Sequence, residues 1–288
     1  MDDMKRFVRI IAYILGTIAI SLTVLQLCNT DEFSTTNYSY QSSKVTAAMN
    51  GYKIVQVSDV HNHGVHYRNT DLLSAIDVAN PNLVVCTGDL IDSHTKSYEN
   101  LIALFEHCQQ KSYPVYYVSG NHEGYEKKGR TLTLMNYMNQ YGVINAETTR
   151  YEPIAGLTIS GLRDPAFVES DHGYLYPCEG DVKAQLTTLD NGFDSSKLNI
   201  LLSHRPELYS LYKNHGYDLV YSGHTHGNQM GFTWTPFTVN QFFPKHFVGY
   251  YQEKPTSMIV SRGLGYSYSM PFRVLCNAEI TVTTFLKA

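Results

Sequence analysis

His224 and His226, separated by one threonine in YSGHTHGNQ (221–229), stand at i and i+2 between Gly223 and Gly227. Residues so spaced do not share a helix face, but on an extended segment they point to the same side. Two imidazoles aimed at one point are a metal-binding arrangement, and the flanking glycines let the backbone turn tightly around it. By itself such a pair is more often the solvated end of a strand. Here the pattern recurs. Asp59 and His61 repeat the spacing after YKIVQV (52–57), and Asp89 follows NLVVCTG (82–88). Asn121, His122 and Glu123 follow PVYYVSG (114–120), and His204 follows LNILLS (198–203). Five apolar runs thus end in Asp, Asn or His, which polar loop composition alone does not explain.

The elements that must position these residues follow from the same runs. Each reads as a buried strand, and helix-length segments separate the first three: NTDLLSAIDVAN (69–80), closed by Pro81, and a stretch covering about 96–110. Strands separated by helices imply an α/β fold with a parallel sheet. Such sheets bind ligands beyond the carboxyl ends of their strands, where the candidate residues lie.

The 288-residue chain has a formal net charge of −4, which gives no electrostatic reason to expect nucleic acid as a partner. Its five cysteines include no CxxC pair, so neither a thiolate zinc site nor a disulfide framework is indicated. From Ile10 to Leu27 no residue is charged, and Lys5, Arg6 and Arg9 precede the run. That approaches the ~20 apolar residues needed to span a bilayer. A cleaved signal peptide has a shorter apolar core and a small-residue cleavage site, and LQLC lacks the small residue expected before a lipidated cysteine. An uncleaved single-pass anchor in the cell membrane is the favoured reading. With the basic flank before the span, the positive-inside rule puts the C-terminal domain outside the cytoplasm. The expected organisation is an anchor over 1–30, a polar tether over 31–50 and one domain over 51–288.

In residue type, order and spacing, DVH (59–61), GDLID (88–92), GNHE (120–123), SH (203–204) and GHTH (223–226) resemble the signature of the calcineurin-like metallophosphoesterases. The likeness covers most of the chain from residue 52. GHTHGNQ, FPKHFVGYY (243–251), SRGLG (261–265) and PFR (271–273) are similar to blocks of a bacterial, often membrane-associated branch. Departures fall at Asn228, where a second glycine is common, and at CNAEI (276–280), where prolines are usual. The resemblance implies a four-layer α/β/β/α sandwich with two central mixed sheets, and two divalent transition-metal ions. It assigns one ion to Asp59, His61, Asp89 and His226, and the other to Asp89, Asn121, His204 and His224, with Asp89 bridging. This set of oxygen and imidazole donors suits Mn²⁺ first, with Fe or Zn²⁺ as alternatives, and argues against a structural zinc cluster. By the same resemblance, His122 faces the substrate and protonates the leaving oxygen or stabilises its charge. Asp92, the last position of GDxxD, orients a ligand imidazole. His63, His66, His94 and His107 match no motif position. Arg163 and Arg205 read as salt-bridge partners in preference to phosphate contacts.

The implied reaction is two-metal hydrolysis of a phosphomonoester, phosphodiester or pyrophosphate. Location favours an envelope or phospholipid-derived phosphoester. Because the family includes UDP-diacylglucosamine pyrophosphatases, a lipid-linked pyrophosphate is the runner-up. The contrasting reading is a non-catalytic module whose ions only hold the fold. Two long aromatic-rich connections, 164–180 and 230–251, are expected to shape substrate choice. The second carries Phe232, Trp234, Phe237, Phe242, Phe243 and Phe247, either as an apolar lip at the membrane or as a loop packed on the domain.

Overall fold

The uncharged N-terminal run forms one long helix, α1 (Asp2–Asn29). Its 21-residue segment Met4–Val24 is apolar enough to cross a membrane and is unburied by the rest of the chain. At 1.5 Å per residue that segment measures ~31 Å, close to the ~30 Å hydrocarbon core of a bilayer. The computed structural model describes residues 2–29, 33–62, 69–126, 128–168, 179–229, 245–266, 273 and 276–288.

The strands are β1 (Phe33–Ser42), β2 (Lys53–Val57), β3 (Leu83–Thr87), β4 (Val115–Val118), β5 (Ile144–Asn145), β6 (Arg150–Ile154), β7 (Leu157–Gly161), β8 (Leu198–Leu202), β9 (Leu219–Ser222), β10 (Gly249–Tyr251), β11 (Ser257–Val260) and β12 (Ala278–Lys287). They make two six-stranded sheets, ordered β1-β12-β2-β3-β4-β5 and β10-β11-β9-β8-β7-β6. Helices α2 (Asn69–Ala79), α3 (Glu99–Gln110), α4 (Asn121–Tyr125), α5 (Arg130–Gln140) and α6 (Glu179–Asp190) complete the frame.

Period-2 alternation assigns the faces. Ile54, Leu83, Val85, Ile159, Ile200 and Leu219 point between the sheets. Val55, Val84 and Cys86 point the other way, against Leu72 and Ile76 of α2, Leu101 and Phe105 of α3, and Leu134 of α5. Leu201 and Val220 face Val182 and Leu186 of α6. Two sheets with helices on both outer faces give the four-layer α/β/β/α sandwich. Strands buried on both faces read as continuous apolar runs, which is why NLVVC and LNILL stand out. The five apolar runs that end in candidate residues divide between the sheets, with β2, β3 and β4 in one and β8 and β9 in the other.

The polar tether expected over 31–50 does not exist as such. Residues 33–42 form β1, an edge strand paired in parallel with β12 along its whole length, from Phe33 with Ala278 to Ser42 with Lys287. Polar side chains are tolerated there because an edge strand has one sheet neighbour and a solvated flank. Thr, Tyr and Phe are also good strand formers. Tyr40 reaches the inner core and meets Phe285 edge-on, with ring centroids 5.8 Å apart.

Candidate metal centre

The site lies where the carboxyl ends of β2, β3 and β4 meet those of β8 and β9. Asp59, His61, Asp89, His224 and His226 all have positive φ, between 50° and 72°. Non-glycine residues rarely adopt that region, and each costs roughly 1–3 kcal/mol unless its surroundings impose it. Backbone bonds impose it here: Asp59 N–H donates to Gly88 O at 3.0 Å and His61 N–H to Asp89 O at 3.0 Å. Such turns at successive strand ends throw consecutive functional side chains inward.

Among the described residues, Asp59, His61 and His226 bring one donor atom each within 4.8 Å of one another, and so do Asp89, His204 and His224. In the first set, His61 Nε2 and His226 Nε2 are 3.1 Å apart, and His226 Nε2 lies 3.6 Å from Asp59 Oδ1. In the second, His204 Nε2 lies 3.2 Å from His224 Nδ1 and 3.1 Å from Asp89 Oδ2. Asp89 Oδ2 is also 4.0 Å from His61 Nε2, so this carboxylate stands between the two sets. The seven expected ligands are all buried, and six of them fall into these two sets. The seventh, Asn121, follows Gly120 at the end of β4, and its buried Oδ1 has no hydrogen-bond partner among the described residues. An orphaned buried oxygen at the same strand ends as two sets of facing imidazole nitrogens fits a cation-binding centre.

The electrostatics agree. His204 Nδ1 lies 2.7 Å from the Thr87 carbonyl; that oxygen only accepts, so Nδ1 carries a proton and Nε2 is the nitrogen that faces Asp89. Burial opposes protonation of His204, yet Asp89 and Asp59 carry its pKa up to about 10. Either a proton or a metal ion must sit at that nitrogen. Burial, with His204 and Arg205 beside it, holds His224 well below the usual histidine range; burial and the Arg273 guanidinium do the same to His226. Neutral imidazoles are the form that ligates. Burial would raise Asp89, but His204, His122 and His61 hold it well below the usual carboxylate range. Asp59 is pushed up to about 6, burial outweighing the pull of His204.

His122 is partly exposed, and its ring meets that of His61 edge-on at 4.7 Å between centroids. Asp92 is buried, with Oδ2 4.0 Å from His61 Nδ1 and Oδ1 accepting from His94 N–H at 2.7 Å. His107 joins Asp77 at 2.9 Å between α3 and α2, away from the centre. Arg205 is a salt-bridge partner, but a fully buried one, forked onto both oxygens of Asp164 at 2.8 Å. Arg163 lies 3.4 Å from Asp181. His63, His66 and most of the connections at 164–180 and 230–251, with the aromatic residues 232–243, lie outside the described residues.

Three supporting residues had no assigned role in the sequence. Glu123 accepts four backbone N–H groups, from Asp89, Leu90, Ile91 and Gly120, at 2.7–3.1 Å. It latches the GDLID loop to the GNHE loop, and a Cβ at Gly120 would run into the Asp89 carboxylate. Arg273 is buried and donates to the carbonyls of Arg262 at 2.7 Å and Gly263 at 3.2 Å, with Nη2 3.5 Å from His226 Nδ1. Glu207 brings Oε1 to 3.8 Å from His224 Nε2. Burial pushes its pKa up to about 7 against the pull of Arg205.

The model of the calcineurin-like phosphoesterase family matches residues 52–228. An uncharacterised metallophosphoesterase of Campylobacter jejuni is 32% identical over 235 residues, covering 80% of this chain and 58% of that protein. The chain thus spans about three fifths of that relative, and the same holds for two from Helicobacter pylori. The uncharacterised metallophosphoesterase YkuE of Bacillus subtilis is 29% identical over 266 residues, covering 87% of this chain and 84% of its own. A zebrafish transmembrane protein with a metallophosphoesterase domain is 28% identical over 249 residues, covering 83% of this chain and 54% of its own. A dimetal phosphatase from Danio rerio shares the fold at a TM-score of 0.50 and 14% identity, over 75% of this chain and 88% of that one. With its site and four-layer sandwich in place, this chain belongs to the calcineurin-like phosphoesterase family.

Proposed function

We propose that the chain is a membrane-anchored, metal-dependent phosphoric ester hydrolase. The observation that carries the reading is the division of six side chains into two donor sets with Asp89 between them. Asp59, His61, Asp89 and His226 would hold one divalent cation and Asp89, Asn121, His204 and His224 the other, with Mn²⁺ the best match to the donors. Bound there, the pair supplies Lewis-acid stabilisation for attack of water on phosphorus. Asp92 orients His61, and Glu207 stands in the same relation to His224. His122 touches the substrate and delivers a proton to the leaving oxygen; its partial exposure beside buried His61 suits a group that meets solvent and ligand alike. The lysine and arginine residues before the apolar span favour a single-pass helix with the domain outside the cytoplasm, which protease shaving of intact cells checks.

Purified full-length protein should hydrolyse bis-p-nitrophenyl phosphate with added Mn²⁺ and stop on chelation. Two bound ions without turnover of this or any phosphomonoester or pyrophosphate would make the chain a metal-stabilised binding module instead.

A further inference from the structure

The position of β1 fixes where the anchor joins the domain. Helix α1 ends at Asn29 and β1 starts at Phe33. Four residue steps reach at most ~14 Å, whereas a 20-residue tether would reach ~70 Å. The domain is therefore held by a particular point on its surface.

That point is the metal-bearing rim. Strand β1 runs parallel to β12, and β12 runs antiparallel to β2, so the amino end of β1 lies at the edge where β2 delivers Asp59 and His61. Phe33 pairs with Ala278, and the Glu279 N–H of β12 donates to Gly263 O at 3.0 Å. A Cβ at Gly263 would lie 2.5 Å from that of Asp59, and Gly265 N–H donates to Asp59 O at 2.6 Å. From Phe33 to Asp59 is thus about three strand spacings, ~15 Å. Arg262, paired with Glu279 and 3.4 Å and 3.3 Å from the hydroxyls of Ser34 and Thr36, fastens the anchor-bearing strand to the loop behind Asp59. From Phe33 the chain runs ten residues away from this rim, so the bulk of the sandwich lies on its far side. A domain of this size is ~45 Å across. Because a bilayer excludes that bulk, the end where the chain enters is the end that faces the membrane.

We propose that the metal-bearing rim faces the bilayer holding α1, and that the preferred substrate is a membrane-resident amphiphile whose phosphoester enters the site while its tail stays in the membrane. The inference rests on the anchored phosphoesterase reading above and adds the orientation and the substrate class.

Two measurements on full-length protein in phosphatidylcholine vesicles test it. In the first, an environment-sensitive dye is placed on Tyr125→Cys or on Leu286→Cys, with Cys28 and Cys178 changed to Ser; Cys86, Cys108 and Cys276 are buried. Tyr125 is exposed just after the GNHE loop, while Leu286 is exposed eight residues down β12, ~27 Å from the rim. Nitroxide on lipid headgroups should quench the dye at 125 more strongly than at 286. Equal or reversed quenching overturns the orientation. In the second, twenty Gly/Ser residues are inserted between residues 30 and 31, and turnover is compared on phosphatidyl-p-nitrophenol in the vesicles and on soluble bis-p-nitrophenyl phosphate. The insertion should lower the first by about tenfold, as effective concentration falls with linker length, and leave the second unchanged. An unchanged first rate overturns the substrate class. Failure of the uninserted protein to hydrolyse either ester counts against the phosphoesterase reading, and the quenching ratio still decides the orientation.

Discussion

The backbone N–H of His224 donates to both carboxylate oxygens of Asp59, at 2.9 and 3.1 Å. The end of β2 in one sheet is thereby locked to the end of β9 in the other, and the two donor sets cannot move independently. The contact needs a bare Cα next door, because a Cβ at Gly223 would collide with the Ser58 hydroxyl and the Asp59 carboxylate. Gly223→Ala should leave the helical content unchanged and weaken metal binding by roughly 10–100-fold, the usual cost of disturbing what holds a ligand. Titration calorimetry with Mn²⁺ checks this; unaltered affinity would remove the Asp59–His224 lock from the account.

Asp89→Asn should be the most damaging change among the proposed ligands. It nearly preserves shape while removing the negative charge that lies 3.1 Å from His204 Nε2 and 4.0 Å from His61 Nε2. Elemental analysis is expected to show fewer than two ions per chain. Full occupancy with retained turnover is incompatible with a shared ligand.

For His122→Ala, both ions and the fold should persist while turnover drops ~10²–10⁴-fold, the range of general acid catalysis. The deficit should be small for nitrophenolate leaving groups and large for alkoxides, which need the proton. A deficit that ignores leaving-group pKa points to charge stabilisation in place of proton transfer. Wild-type rates throughout the series dismiss the residue from the mechanism.

Glu207 faces the His224 nitrogen opposite the one that looks into the centre. When ionised and drawn closer on metal binding, Glu207 would favour the proton on Nε2 and leave Nδ1 free to ligate, the tautomer control that backing carboxylates exert on metal-bound histidines. Glu207→Gln should weaken the second ion by ~10–100-fold and leave the first in place. Stepwise loading followed by metal analysis separates the two, and equal loss of both ions contradicts the pairing.

The raised pKa of His204 predicts proton release. Its pKa in the metal-free protein is about 10, and a ligating imidazole must be neutral. At pH 8, Mn²⁺ should therefore displace about one proton per chain from this residue. The release should shrink as pH rises through 10, where His204 has already lost its proton. Calorimetry in buffers of different ionisation enthalpy measures it, and a release that does not change between pH 8 and 10.5 assigns the proton elsewhere.

Much of the centre was legible because its side chains follow apolar runs, so strand and ligand announce each other. The candidate strand ends and the α/β class came from that coincidence of pattern and chemistry, whereas the seven expected ligand positions and the four-layer α/β/β/α sandwich were what the resemblance to the calcineurin-like metallophosphoesterases implied. Residues whose partners are backbone atoms left no such trace. Arg273 works by donating to carbonyls, and Glu123 by accepting amides; of these only the Gly120 N–H, three residues back at the start of α4, follows a spacing rule, while the three from the GDLID loop do not. The strand at 33–42 was hidden for another reason: an edge strand with Ser, Thr, Asn and Gln has the composition of a linker, and its partner is far away in sequence. Glu207 became visible only when the turn after β8 placed it behind His224.

That distance in sequence has a consequence for biogenesis. Ser34 bonds to Ala278 across 244 residues, and among the described residues β12 is the one sheet neighbour of β1. Residues 33–42 thus stay unpaired until residues 278–287 have been made and, in the anchored topology proposed above, delivered to the same side of the bilayer. Contacts between such remote segments form slowly, because the intervening loop must close first. The edge of the domain that is synthesised first is the last to pair, and with α1 as the proposed anchor it would wait beside the lipid surface as an unpaired, aggregation-prone strand.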